Sequence, residues 1–173
     1  MRSLAFALLL LPAFAYCQQG KFPEDWIGHW KGELLWYSGN DNTPKKVNME
    51  LHILRSDTVG KYTWQIVYGD ITADNRPYLL IPKDTASGHW AIDELNGIVL
   101  DQYWVAGRLS GAFSVQKSSI LNNYWLEGGK LHVEFYNTSV KPVAVTGKGT
   151  QDSPIVNSFQ VKSFQKAVLT RTQ

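Results

Sequence analysis

Asp25-Trp26-Ile27-Gly28-His29-Trp30-Lys31-Gly32-Glu33-Leu34-Leu35-Trp36 carries the heaviest apolar deposit in the chain, with three tryptophans between positions 26 and 36. From Trp30 to Tyr37 the residues alternate, Trp30, Gly32, Leu34 and Trp36 facing one way and Lys31 and Glu33 the other. That period of two is the mark of a half-buried strand. Pro23-Glu24-Asp25-Trp26, just before it, suits a single turn of helix, and Gly28 gives a tight entry into the strand.

Working outward from this segment, the same alternation recurs, broken by turn residues. The polar loop Ser38-Gly39-Asn40-Asp41-Asn42-Thr43-Pro44 leads to a strand over 47–54, with Val47, Met49, Leu51 and Ile53 on one face. Further strands are expected over 62–68, 76–82, 89–95, 98–105, 108–116, 119–127, 130–137 and 157–172. Pro77 and Pro82 suit strand ends or an edge, because proline cannot donate to a ladder. Asn96-Gly97 and Gly128-Gly129 are the dipeptides preferred in two-residue hairpins, where both central residues need positive φ. No helical period of any length occurs. The expected fold is all-β, an antiparallel up-and-down barrel of about eight to ten strands with little helix. Closure removes the strand edges that would otherwise template aggregation.

The N-terminus reads as a leader. Arg2 is followed by an unbroken apolar run from Leu4 to Leu11 and then by small residues. The run is far short of the roughly 20 residues that span a bilayer, so it is expected to be a signal peptide over residues 1–17, cleaved after Ala15 or Cys17. A single barrel domain over 18–173 remains, with no transmembrane segment, secreted or periplasmic. Cys17 is the sole cysteine, so no intrachain disulfide can form, and export without disulfides favours a bacterial source. A lipid anchor on Cys17 is the weaker alternative, since the preceding Tyr16 is bulky where lipidation requires a small residue. Loss of Arg2 leaves 16 basic against 15 acidic residues, a balance with no field for steering onto nucleic acid or an anionic membrane.

Gly28-x-Trp30, after a helical turn and at the head of the first strand, resembles the first signature of the lipocalin and fatty-acid-binding (calycin) barrels. The resemblance implies that the glycine lets the chain enter the barrel floor and that the tryptophan plugs that end. Leu169-Thr170-Arg171-Thr172 is similar to the closing strand of such proteins. There, an arginine packs over the tryptophan or reaches a ligand carboxylate. If Phe159, Val161, Ala167 and Leu169 face inward, parity places Arg171 inward too. The lipocalin Thr-Asp-Tyr signature is missing. Gly28-x-Trp30-x-Gly32 also resembles the opening of nitrobindin-type haem barrels, which ligate haem through a late histidine. The last histidine here, His132, precedes the closing strand, so no cofactor is expected.

Three constellations bear on chemistry. A two-residue turn at Asn96-Gly97 would set Glu94 opposite Val99 and Ile92 opposite Asp101, making Glu94 and Asp101 neighbours on one face. A carboxylate pair beside aromatics could act on a sugar, and two solvated charges are the plainer reading. The Gly128-Gly129 hairpin sets Trp125 opposite His132 and Asn123 opposite Glu134. His132 and Glu134 have a chelating spacing, but they share a face with the Glu127–Lys130 pair, so no metal is expected. Asn137-Thr138-Ser139 is a formal glycosylation sequon. No nucleophile elbow, phosphate loop or dinucleotide fingerprint is present.

What remains is an inward aromatic set, Trp30, Trp36, Tyr62, Trp64, Phe113 and Tyr124, joined by Arg171. Gly32 and Gly111, on inward positions, are expected to leave open space. The leading expectation is binding of a small apolar or amphipathic ligand inside the barrel. A carbohydrate-active enzyme using Glu94 and Asp101, and a structural or adhesive surface protein, are the alternatives.

Overall fold

A computed structural model describes residues 21–39 and 41–172. The expectations about the leader, its cleavage and Cys17 lie outside the described residues.

One 3-10 turn, Glu24–Trp26, precedes the first strand, as the sequence suggested. Twelve strands follow: β1 (Gly28–Ser38), β2 (Lys45–Ile53), β3 (Tyr62–Tyr68), β4 (Asp74–Asp84), β5 (His89–Asp93), β6 (Val99–Val105), β7 (Arg108–Val115), β8 (Ser118–Glu127), β9 (Lys130–Ser139), β10 (Ala144–Thr146), β11 (Val156–Ser158) and β12 (Val161–Thr172). A second 3-10 turn, Thr85–Ser87, sits between β4 and β5; the sequence had not suggested it. Ten strands close an antiparallel barrel in the order β1-β12-β9-β8-β7-β6-β5-β4-β3-β2, and β10 pairs only with β11. The meander is interrupted once, where the exposed β10–β11 hairpin leaves the barrel between β9 and β12.

Closure brings the two ends of the described chain together. β1 runs beside β12 with Trp30 opposite Arg171 and Gly32 opposite Leu169. Inward positions of β1 to β3 supply the core, among them Trp30, Leu34, Met49, Leu51, Ile53, Tyr62, Trp64 and Ile66, all buried.

Two hairpins show how turn chemistry sets register. At Gly128-Gly129 both φ values are positive, 57° and 74°, and Glu127 pairs with Lys130, the expected two-residue turn. At Asn96-Gly97 the outcome differs. Asp93 pairs with Val99, Ala91 with Asp101 and Trp90 with Gln102, one residue away from the expected register. The Glu94 amide bonds to the Ile98 carbonyl, so Leu95, Asn96 and Gly97 form a three-residue loop. Leu95 takes φ 60°. Asp93 Oδ1 accepts the Leu95 amide at 2.8 Å, and Asn96 Oδ1 accepts the Ile98 amide at 2.9 Å. These side-chain acceptors stabilise the wider loop over the tight turn. A slip of one residue moves every side chain of a strand to the other face. The expected Glu94–Asp101 pair is thereby corrected: Glu94 lines the lumen, whereas Asp101 is on the outer surface, hydrogen-bonded to His89 Nε2 at 2.8 Å.

The closing strand needs a second correction. A register shift between Val161 and Ser163 interrupts the β12–β9 ladder. Phe159 and Val161 are exposed on the outside. Ser163, Ala167 and Leu169 are buried, and Arg171 keeps their parity, so the bulge falls upstream of the arginine.

Candidate ligand pocket at the barrel mouth

The barrel is sealed at one end. Trp30 is buried and donates its indole N–H to the Trp26 carbonyl at 2.8 Å, which ties the 3-10 turn across the opening. Phe22 stacks on Trp104 with centroids 4.6 Å apart and meets Trp26 and Trp90 edge-on at 4.9 and 5.2 Å. Tyr62, also buried, donates its hydroxyl to Glu24 Oε1 at 2.6 Å, and Arg55 pairs with the same carboxylate. From below, the Arg171 guanidinium lies 4.6 Å from the Trp30 ring centroid and donates to the Asp25 carbonyl. Gly28 is what admits the arginine: a Cβ there would come within 3.3 Å of Arg171 Cδ. The floor is thus a layered plug of rings held by hydrogen bonds at its edge.

The other end is open and holds a cavity of about 180 Å3. Its apolar wall comes from Ile66, Ile92, Leu100, Phe113, Ile120 and Phe135. Three phenols, Tyr68, Tyr78 and Tyr124, reach into it, and Tyr124 abuts Trp64 edge-on at 5.0 Å. Burial pushes the Tyr68 phenol up to about 12 and the Tyr124 phenol higher still. The Tyr78 phenol is raised first by burial and then by the Glu94 carboxylate. All three are neutral hydroxyls near neutral pH, able to donate or accept.

Amides line the cavity as well. Gln102 and Asn122 are buried, and Asn122 Nδ2 donates to Gln102 Oε1 at 2.7 Å. The partners lie on β6 and β8, with β7 between them. They meet because β7 presents Gly111 at that level, where a Cβ would come within 2.2 Å of Gln102 Nε2. Gly111 therefore gives no open space: the Gln102 amide fills it. Gly32 is likewise filled, since a Cβ there would come 2.5 Å from the Val168 carbonyl oxygen of β12. Asn137 is turned inward, with Oδ1 buried and no donor among the described residues reaching it. The asparagine of the sequon is thus a lumen residue, not a surface attachment point.

Two charged side chains complete the lining, Arg76 and Glu94. Arg76 Nε and Nη2 donate to the two Asp74 oxygens at 2.9 and 2.8 Å, and its guanidinium lies 4.8 Å from the Tyr68 ring centroid. The fork of hydrogen bonds from Arg76 holds Asp74 below the usual carboxylate range and keeps the guanidinium firmly protonated. Glu94 makes no ion pair among the described residues. Its one donor is Asn96 Nδ2, at a long 3.3 Å.

The structure distributes the expected site residues between these two ends. Phe113 and Tyr124 line the cavity. Trp30, Tyr62 and Trp64 belong to the floor and the core above it, and none of them lines the cavity. Arg171 is on the floor side, against Trp30, so it does not reach a molecule in the lumen. Trp36 has inward parity but sits at the rim, 42% exposed, with Lys45 Nζ 5.9 Å from its ring. Of the two charged residues in the cavity, the sequence singles out Glu94, though paired with Asp101, and does not single out Arg76. Arg76 shares parity with Tyr78 and Leu80 along β4, which was the available signal. On the outer surface, Trp125 stacks on His132 at 4.9 Å with Arg108 over its other side at 4.1 Å. Among the described residues, no group of three or more His, Cys, Asp or Glu side chains is arranged to hold a metal, and no helix is long and apolar enough to cross a membrane.

A ten-stranded closed antiparallel barrel with one sealed end is consistent with a calycin-like architecture. No protein-family model matches the chain, and no curated protein matches it. Among solved structures, the fold is similar to a protein of unknown function from the DUF3598 family of Nostoc punctiforme PCC 73102, with a TM-score of 0.61 and 12% identity. The match covers 86% of this chain and 48% of that one, so the chain spans about half the length of that structure. At this identity the likeness establishes the barrel fold alone.

Proposed function

We propose that the protein is an exported, lipocalin-like binding protein that takes a small amphipathic molecule into the open end of its barrel. The observation that carries this reading is the contrast within one lumen: a floor packed solid with rings, and above it a cavity with apolar walls and a few convergent polar groups. Ligand sites in barrels have this composition. The leader-like N-terminus supports export, and the Gly28, Trp30 and Arg171 floor supports the calycin likeness. A cavity of about 150 Å3 is enough for a benzene ring. The 180 Å3 here therefore takes one ring or a short alkyl segment, with the rest of the molecule emerging at the rim.

The test is calorimetric titration with ring-bearing and alkyl amphiphiles, repeated on Ile120→Trp, which places a large side chain in the cavity. Saturable binding that is lost in the variant, with its melting temperature retained, is the expected result. Binding that survives the filled cavity would move the site elsewhere.

One observation favours a second reading, an adhesive surface protein. On the outer face, Leu121, Tyr136, Phe164 and Tyr37 form a row across four strands, with ring centroids 4.6 Å apart for Tyr136–Phe164 and 6.1 Å for Tyr37–Phe164. Pull-down on insoluble glycans, compared between the native protein and Tyr136→Ser, separates this reading from the first.

A further inference from the structure

We propose that the pocket selects a cation: an amine carried on a ring-sized apolar body, its ammonium placed against Glu94. The inference rests on reading the cavity as a ligand site and adds the charge of what enters it.

Charge bookkeeping at the lining leads there. Arg76 is matched by Asp74 through two parallel hydrogen bonds and rests on Tyr68, so its charge is already answered by the protein. Glu94 faces the same cavity without a cationic partner among the described residues, held by one long bond from Asn96. The lining therefore carries one unanswered negative charge. A carboxylate in a half-enclosed apolar site gains most from a partner that supplies both charge and N–H donors. The other unused groups have the same polarity. Asn137 Oδ1 is a buried acceptor that no donor among the described residues reaches. The faces of the Tyr78 and Tyr124 rings are electron-rich surfaces of the kind that attract ammonium groups. An anionic ligand would meet an Arg76 whose charge Asp74 already answers and would sit beside Glu94. A neutral one would leave Glu94 as it is. Only a cation improves every group at once.

Three probes of one shape make the test: 2-phenylethylamine, 2-phenylethanol and 3-phenylpropanoate, titrated calorimetrically into the full-length protein and into Glu94→Gln and Glu94→Lys. The one substituted position lines the cavity, and thermal melts check that each variant is folded. The amine is expected to bind roughly tenfold or more tightly than the alcohol, and the advantage should vanish in Glu94→Gln while the alcohol changes by no more than about twofold. Glu94→Lys should turn the preference toward the carboxylate. Amine binding should also weaken as salt is added, and alcohol binding should not. If the alcohol binds and the amine is no tighter, or if the amine keeps its advantage in Glu94→Gln, the charge assignment is overturned and the pocket stands. A carboxylate that binds best to the native protein overturns it too and makes Arg76 the anchor. If none of the three binds to the folded protein, the pocket reading fails and the charge assignment with it.

Discussion

Trp30 and Tyr124 both point inward from their strands and both are buried, yet they belong to different kinds of interior. Around Trp30 the chain answers the ring itself: its indole N–H by the Trp26 carbonyl, its lower face by Arg171, its surroundings by further rings, while the neighbouring Trp26 and Trp64 indole N–H groups are buried without an acceptor among the described residues. Around Tyr124 the lumen widens, and Asn137 and Glu94 present acceptors that the protein leaves free or nearly so. One alternating pattern thus builds a structural end and a receptive end. The lesson is that inward aromatics alone do not mark a binding site in a barrel. Unpartnered acceptors that face an open cavity do.

If the two ends divide the work this way, substitutions at the floor should cost stability and spare binding. The largest effect is expected at Trp30. Trp30→Ala removes a fully buried ring and should destabilise the protein by about 3–5 kcal/mol in chemical denaturation. Gly111→Ala comes next and straddles the comparison. Its Cβ would collide with the Gln102 amide and break the Gln102–Asn122 pair. A loss of about 1–3 kcal/mol is expected from leaving buried amides unpartnered, with weaker ligand binding measured on the same protein. Arg171→Ala should cost about 0.5–2 kcal/mol in a thermal melt, and Arg171→Lys should not restore it fully, because an ammonium cannot stack flat on the indole. Ligand affinity should be unchanged in both, and a fall in affinity would mean that the floor takes part in binding.

The most specific effect is alkaline. Burial raises the Tyr68 phenol in the folded protein to about 12, against 10.0 for an unperturbed tyrosine. Between those values the unfolded chain has released the proton and the folded one has kept it, so unfolding binds fewer protons and stability falls as pH rises. The contribution is intact below about pH 10 and is lost on passing through about 12. Absorbance titration of the phenolates should show a late phase well above pH 10 from the mouth tyrosines, and Tyr68→Phe should remove part of it.

Much of the barrel was legible in the sequence, because its strands obey a period of two and its breaks fall at glycine, proline and asparagine. The pairing of Trp30 with Arg171 is what the calycin resemblance implies, and closure and the shared parity of Ala167 and Leu169 agree with it. The site was less legible. The inward set Trp30, Trp36, Tyr62, Trp64, Phe113 and Tyr124 gives correct parities but no depth, and depth separates floor from rim. Glu94 and Asp101 were joined because Asn-Gly reads as a two-residue turn. Two local acceptors, Asp93 and Asn96, widened it by a residue and put the carboxylates on opposite faces. Gly111 read as empty space because the residue that fills it, Gln102, comes from the next strand. Arg76 was overlooked beside Pro77, although β4 continues past that proline from Asp74 to Asp84.

The division of the barrel into a closed structural end and an open receptive end is tested most directly by nuclear magnetic resonance on 15N-labelled protein during titration with 2-phenylethylamine. Side-chain amide signals of Gln102, Asn122 and Asn137 should shift with a common saturation curve, while the indole N–H of Trp30 stays in place. A shift at Trp30 that follows the same curve, with the mouth amides unmoved, would contradict the account.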